Sequence, residues 1–189
     1  MTAAPDAARP VRVLALSGSV RPDSSNTALV QALGPLASPG VSVEVYGSLA
    51  GLPHFDPGLD REGDPLPAAV ASFRARLRDA DAVVISTPEY AYGMPGVLKN
   101  ALDWTVSSGA FAGKPTGAIS ASPNHLGGER AHASLVLTLT ALAARVVEDA
   151  SFTVPFVRTK LNAEGAPETN LAAALRAALD ALARATREC

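Results

Sequence analysis

The sequence has one cysteine, Cys189, and it is the last residue. A single thiol forbids an internal disulfide and cannot build a multi-cysteine zinc site, and it suits a reducing, cytoplasmic setting. An excess of one charge is absent as well. Sixteen Lys and Arg stand against 18 Asp and Glu, a formal net charge of −2, so no basic field draws in a polyanion, and DNA, RNA and anionic membrane are poor default partners. Long apolar runs are missing too. No stretch approaches the roughly 18 uncharged residues of a spanning helix, and the first ten residues (MTAAPDAARP) hold no signal-peptide core. The expectation is a soluble, unprocessed protein whose residues 1–10 form a flexible lead-in. Finally, neither the Gly-x-x-x-x-Gly-Lys of a P-loop nor the Gly-x-Gly-x-x-Gly of a dinucleotide fold occurs after the first strand candidate.

What is present is a well-buried globular chain: 189 residues, 48% hydrophobic and 18% charged, enough for one domain over 11–189. Residues 11–16 (VRVLAL) read as a buried strand that runs into Ser17-Gly18-Ser19. A helix follows, with Asn26 or Thr27 as N-cap and Leu29, Leu33 and Leu36 on its apolar side, stopped by Pro39-Gly40. The unit then repeats. Strands are predicted at 41–46, 82–86, 116–120 and 145–148, and helices at 66–79, 96–107, 130–144 and 170–187. Residues 47–65, rich in Gly, Pro and Asp, form a long loop inside the domain.

Strict alternation of strand and helix implies a parallel sheet covered on both faces and built with right-handed crossovers. The doubly wound order that suits five strands is 2-1-3-4-5, with its switch point between strands 1 and 3. A ligand therefore belongs where the loop after the first strand meets the loop after the third.

The first loop carries Ser19, Arg21, Ser24, Ser25 and Asn26, five polar donors in eight residues at a helix N-terminus. Short donors converging on one oxyanion, a guanidinium and the helix dipole are what a phosphate needs. Taken singly, Ser and Asn there would be helix caps and Arg21 a solvated side chain; the density of donors at the switch point favours the phosphate. Without a P-loop or a dinucleotide loop, a monophosphate such as that of FMN is preferred. The second loop, Thr87-Pro88-Glu89-Tyr90-Ala91-Tyr92-Gly93-Met94-Pro95-Gly96, has prolines and glycines to fix its backbone and two tyrosines with flat faces. It can supply the rigid edge and wall that a flavin ring requires, although either tyrosine alone could equally pack on a neighbouring helix or subunit.

Gly18-Ser19-x-Arg21-x-x-Ser24-x-Asn26 together with Pro88-Glu89-Tyr90-x-x-x-x-Pro95-Gly96-x-Leu98-Lys99-Asn100-Ala101-x-Asp103-Trp104 resembles the NADPH-dependent FMN reductases, a flavodoxin-like family that includes quinone, chromate and azo-dye reductases. The resemblance runs from about Val11 through Gly127-Gly128-Glu129-Arg130. It implies that Ser19, Arg21, Ser24, Ser25 and Asn26 hold the FMN phosphate, that Pro88, Glu89, Tyr90, Ala91, Tyr92 and Gly93 border the isoalloxazine, and that Ser122 closes its pyrimidine end. It implies NADPH or NADH as hydride donor and a small-molecule electron acceptor served by the same open site in a ping-pong cycle. No side chain is required as a nucleophile. The family usually has Asn in place of Ala91 and often Gly in place of Asn124. A homodimer or homotetramer is expected, with Arg130 and the helix after it near the contact. The alternative from another class is a flavodoxin-like electron-transfer module that docks on protein partners, against which a net charge of only −2 argues.

Other polar residues carry less. His54, Asp56, Asp60 and Glu62 share no ligand spacing and read as a solvated loop. Trp104 and Leu98 read as core, Lys99, Asn100 and Asp103 as braces for a loop or a subunit contact, and His125 and His132 as structural or at the pocket rim.

Overall fold

The computed structural model describes residues 9–188. Of the expected lead-in only Arg9 and Pro10 fall within it, and Cys189 lies outside the described residues. The chain runs β1 (Val11–Ser17), α1 (Ser25–Leu36), β2 (Val41–Val45), α2 (Ala68–Asp79), β3 (Ala82–Thr87), α3 (Gly96–Asp103), β4 (Pro115–Ala121), α4 (Glu129–Ala141), β5 (Arg145–Val146), β6 (Phe152–Val154) and α5 (Thr169–Arg187). All strand pairs are parallel, in the order β2-β1-β3-β4-β5, with β6 also on β4.

Alternate residues of the central strands enter opposite cores, as the period of two requires. Val13, Ala15 and Val84 pack with Leu29 and Leu33 of α1 and Leu175, Leu179 and Leu182 of α5. Leu14, Leu16, Val83 and Ile85 pack with Phe73 of α2, Leu98 and Leu102 of α3 and Leu135 of α4, around a fully buried Trp104. Both faces are covered, so β3 and β4 are buried along their whole length.

Two elements differ from the sequence pattern. The fifth strand position is filled in two pieces: β5 pairs with Pro115 and Thr116, β6 with Ile119 to Ala121, and a turn at 148–150 lies between them. The interruption is built into β4. A Cβ on Gly117 would stand 2.7 Å from the Ala150 carbonyl oxygen, and the Ala118 N–H, deprived of a ladder partner, donates to Ser151 Oγ at 3.1 Å. Secondly, α3 stops at Asp103 rather than 107, because Thr105 Oγ1 donates to the Leu102 carbonyl and the chain turns. The long 47–65 loop is pinned, not loose. Asn100 bonds Phe55 N and Pro53 O, Trp104 Nε1 also donates to Pro53 O, and Asp60 is buried against Arg74 and Ser107. Asp60 is thus no solvated loop residue.

Candidate active site

The carboxyl ends of β1, β3 and β4 carry a run of hydroxyls, half-buried at Ser17 and buried at Ser86 and Ser120, and these hold the loops from below. Ser17 Oγ pairs with Thr27 Oγ1 at 2.9 Å, Ser86 Oγ donates to Asn26 Oδ1 at 2.8 Å, and Ser120 Oγ donates to the Gly128 carbonyl at 2.9 Å. Asn26 is 3% exposed, and its Nδ2 donates to the Ala121 carbonyl. Both its polar atoms are engaged, leaving one amide N–H for a ligand. The N-cap of α1 is Ser24, not Asn26 or Thr27: Ser24 is extended and its Oγ accepts from Asn26 N.

Above this layer the first loop is open. Gly18 threads between Thr87 and Leu98, where a Cβ would meet atoms of both at 3.0 Å, and its N–H bonds Ser86 O. Ser19 Oγ accepts from Arg21 N. Within the described residues the N–H groups of Ser24, Ser25 and Thr27, the Ser25 hydroxyl and the exposed Arg21 guanidinium have no protein partner. Open N–H groups at a helix start, in a loop that also carries an arginine, are able to hold an anion.

The second loop is a two-residue turn. Tyr90 and Gly93 exchange backbone hydrogen bonds at 3.0 Å each, and the residues between them, Ala91 and Tyr92, have φ of 48° and 64°. Such turns favour Asn and Gly, which tolerate positive φ; Ala at position 91 carries strain that Asn would lessen. The N–H groups of Glu89, Ala91 and Tyr92 have no protein partner among the described residues. Glu89 Oε2 accepts from Arg130 N at 2.9 Å and Ala131 N at 3.1 Å, so its carboxylate caps α4 from another segment. The Arg130 guanidinium lies over the Tyr92 ring, 4.7 Å from its centroid.

Ser122 is 7% exposed and follows β4 in a third loop. Its N–H donates to Val154 O, its carbonyl accepts from Val157 N, and its Oγ accepts from Asn124 N at 3.4 Å. The loop ends on Gly127 and Gly128, both at positive φ, where a Cβ would meet Pro155 N at 2.8 Å and Ser120 Oγ at 2.3 Å respectively. Sequence reasoning passed over the capping role of Glu89, for which no local signal exists, and the closure made by Gly127-Gly128, for which the glycine pair before Glu129-Arg130 was a usable one. His132, half-buried on α4, bonds Ala118 O through Nε2 at 3.1 Å, and burial lowers its pKa.

The loops that follow the adjacent strands β1 and β3 thus lie side by side, and Ser122 is in the loop that follows β4, the next strand outward. Known proteins share this sequence and architecture. The NADPH-dependent FMN reductase family model matches residues 11–159. An NAD(P)H-dependent FMN reductase of Pseudomonas aeruginosa is 36% identical over 157 residues, covering 82% of this chain and 83% of its own. A quinone reductase of Escherichia coli is 34% identical over 154 residues, covering 80% and 81%. The flavoenzyme FerB, an NAD(P)H:(acceptor) oxidoreductase of Paracoccus denitrificans, superposes with a TM-score of 0.79 at 27% identity, covering 94% of this chain and 97% of that one. The match spans β1 to the turn after β6 and takes in all three loops of the site, and on it the chain belongs to the NADPH-dependent FMN reductase family.

Proposed function

We propose that the protein is an FMN-containing, NAD(P)H-dependent reductase of small flat acceptors such as quinones. The observation that carries this is the start of α1 at the switch point of the sheet, where N–H groups and the Arg21 guanidinium have no protein partner among the described residues and would cradle one phosphate. The residues present fit the phosphate end of FMN, and the rigid turn at Tyr90–Gly93 fits the edge of its ring.

FMN, when bound, would supply two-electron redox chemistry between NAD(P)H and the acceptor, with solvent providing the second proton of a hydroquinone product. The chain binds and orients. Ser19, Arg21, Ser24 and Ser25 would hold the phosphate, while Asn26 fixes α1 against the strand ends and has one N–H to offer. Pro88, Glu89, Tyr90, Ala91, Tyr92 and Gly93 would border the ring through their backbone, and Ser122 would close the pyrimidine end, where the dipoles of the third loop favour negative charge. The Glu89 carboxylate is committed to α4 and moves no proton.

One open site serving both substrates in turn predicts parallel double-reciprocal lines for NADPH and quinone. A protein-docking electron carrier would instead be reduced slowly by NADPH in stopped flow. A homodimer or homotetramer formed through α4 is part of the same proposal. No Asp, Glu, Lys or Arg occurs between Arg130 and Arg145, Leu137 is 73% exposed, and Ala133 and Ala141 beside it are exposed. No helix among the described residues is long and apolar enough to cross a membrane, and we place the enzyme in the cytoplasm, where a lone cysteine stays reduced.

The decisive experiment is Arg21→Ala. It should weaken FMN binding by about 1.5–3 kcal/mol and leave riboflavin binding unchanged, as expected for loss of a charge-assisted phosphate contact. Equal losses for FMN and riboflavin would sink the phosphate assignment.

A further inference from the structure

Phe156 is a bulky residue held in a backbone conformation that costs it energy, with φ 53° and ψ 36°. Gly or Asn would adopt that conformation with less strain or none. Phe156 is half exposed, whereas the nearby Val154 and Val157 are buried. The fold therefore gains little from an aromatic side chain here, and strain retained at an exposed position asks for another reason.

The position supplies one. Phe156 comes two residues after the end of β6 and is clamped to the third loop of the site: its N–H donates to Asn124 O at 3.1 Å, and the next residue donates to Ser122 O. On the other side its carbonyl accepts from both Thr159 N and Thr159 Oγ1 at 2.9 Å. Gly127 presses against the preceding Pro155 so closely that a Cβ would lie 2.8 Å from its nitrogen. The backbone is thus fixed beside the loop assigned to the pyrimidine end of the flavin. Of the eight large apolar residues exposed among the described residues, five, Val20, Tyr90, Tyr92, Leu126 and Phe156, sit on loops at the carboxyl ends of the strands.

We infer that Phe156 is a specificity residue for the electron acceptor, offering an aromatic face at the mouth of the site to flat ring compounds such as quinones. Offset or edge-on contact with a ring attracts planar aromatic acceptors and gives nothing to a compact, strongly hydrated one. The inference rests on the flavin-reductase reading above and adds the residue that selects among acceptors.

The test uses FMN-loaded protein in the oxidised state, without NADPH, so that 1,4-naphthoquinone binds but does not react. Titration followed by the flavin spectrum gives its Kd for the native chain and for Phe156→Gly and Phe156→Tyr. Phe156→Gly should raise that Kd about tenfold, Phe156→Tyr should keep it, and reoxidation of the pre-reduced protein by ferricyanide should be the same in all three. The Tm of Phe156→Gly should hold or rise, because the strain is relieved. An unchanged naphthoquinone Kd in Phe156→Gly would overturn the inference, as would an equal loss toward ferricyanide. A large fall in Tm, or a smaller particle by light scattering, would show the ring to be a structural or subunit contact and would overturn it too. If the native chain binds FMN and is bleached by NADPH while the Kd is unmoved, only this inference fails. If it binds no FMN, the flavin reading fails first and takes this one with it.

Discussion

The two ends of the sheet are built on opposite principles. At the amino end charged groups are paired with partners inside the chain. Asp81 takes two hydrogen bonds from Arg9 and one from Arg12 N, Lys114 Nζ donates to Ala80 O, and Arg74 is buried with Asp60, Ser107 and the Trp104 carbonyl. At the carboxyl end backbone N–H groups stand open, apolar side chains are exposed, and three of the non-glycine residues at positive φ, Ala91, Tyr92 and Phe156, are found there. A fold of this size can leave one end strained and unsatisfied because the other end and the two cores supply the stability. The open groups gather at the end where we propose that the flavin binds.

If that division is real, substitutions at the amino end should cost stability and leave flavin binding alone. The largest effect is expected for Asp60→Ala, which strands the Arg74 guanidinium where the two side chains are only 6% and 9% exposed. Loss of one member of such a buried pair costs about 3–5 kcal/mol, read as a fall in urea midpoint. FMN affinity of the folded fraction should not change; a parallel loss of FMN binding would break the division.

At the carboxyl end, Glu89→Ala removes the acceptor for the first N–H groups of α4 and should cost about 1–2 kcal/mol, the range of a lost helix cap. Glu89→Gln retains an acceptor oxygen and should cost less than Glu89→Ala. Turnover of Glu89→Gln should fall less than about tenfold, since the side chain transfers no proton. A fall of several hundredfold with the flavin spectrum intact would give Glu89 a chemical role.

Strain at this end makes the unusual forecast that a substitution beside the site stabilises. Ala91→Asn places a residue that tolerates positive φ in the Tyr90–Gly93 turn and should gain about 0.5–1 kcal/mol in unfolding free energy. Chemical denaturation at fixed FMN concentration and in its absence would separate that gain from any change in ligand binding. No gain in either condition would mean that the turn carries no strain to relieve.

The division was only half legible in the residues. Apolar strands ending in Ser-Gly-Ser and Thr-Pro announce both the sheet and the end at which we propose that the ligand binds, because a buried strand and a polar loop differ in composition at the point where one becomes the other. The positions that depend on what comes across space were hidden. Asn26 stands at a helix start like any cap, and nothing local shows that Ser86 and Ala121 will engage its amide. Asp60 sits among acidic and glycine residues that look solvated until α2 brings Arg74 to it. The second half of the fifth strand position was missed because its break depends on Gly117 of the neighbouring strand and on Ser151 standing in for a ladder carbonyl.

The smallest effect concerns acid. The two ends should loosen in different pH ranges, because each has a group whose pKa is lowered in the fold. Burial lowers His132, one turn into α4 beside the capped N-terminus, so the folded state binds its proton less readily than the unfolded chain. Its stabilising share is complete above the unfolded value of about 6.5 and is lost as pH falls through the lower, folded value. Asp81 at the amino end is held down first by its hydrogen bonds from Arg9. Its share persists to about pH 3.9 and is lost only below, as pH falls through its own lowered value. Between pH 7.5 and 5.5 the start of α4 should therefore exchange its amide hydrogens faster relative to its intrinsic rate, while the β1 residues beside Asp81 should not. His132→Gln removes the titration and should flatten that change at α4; His54 and His125, both exposed, serve as controls. An α4 response that survives His132→Gln would assign the acid sensitivity elsewhere and leave the two ends indistinguishable by pH.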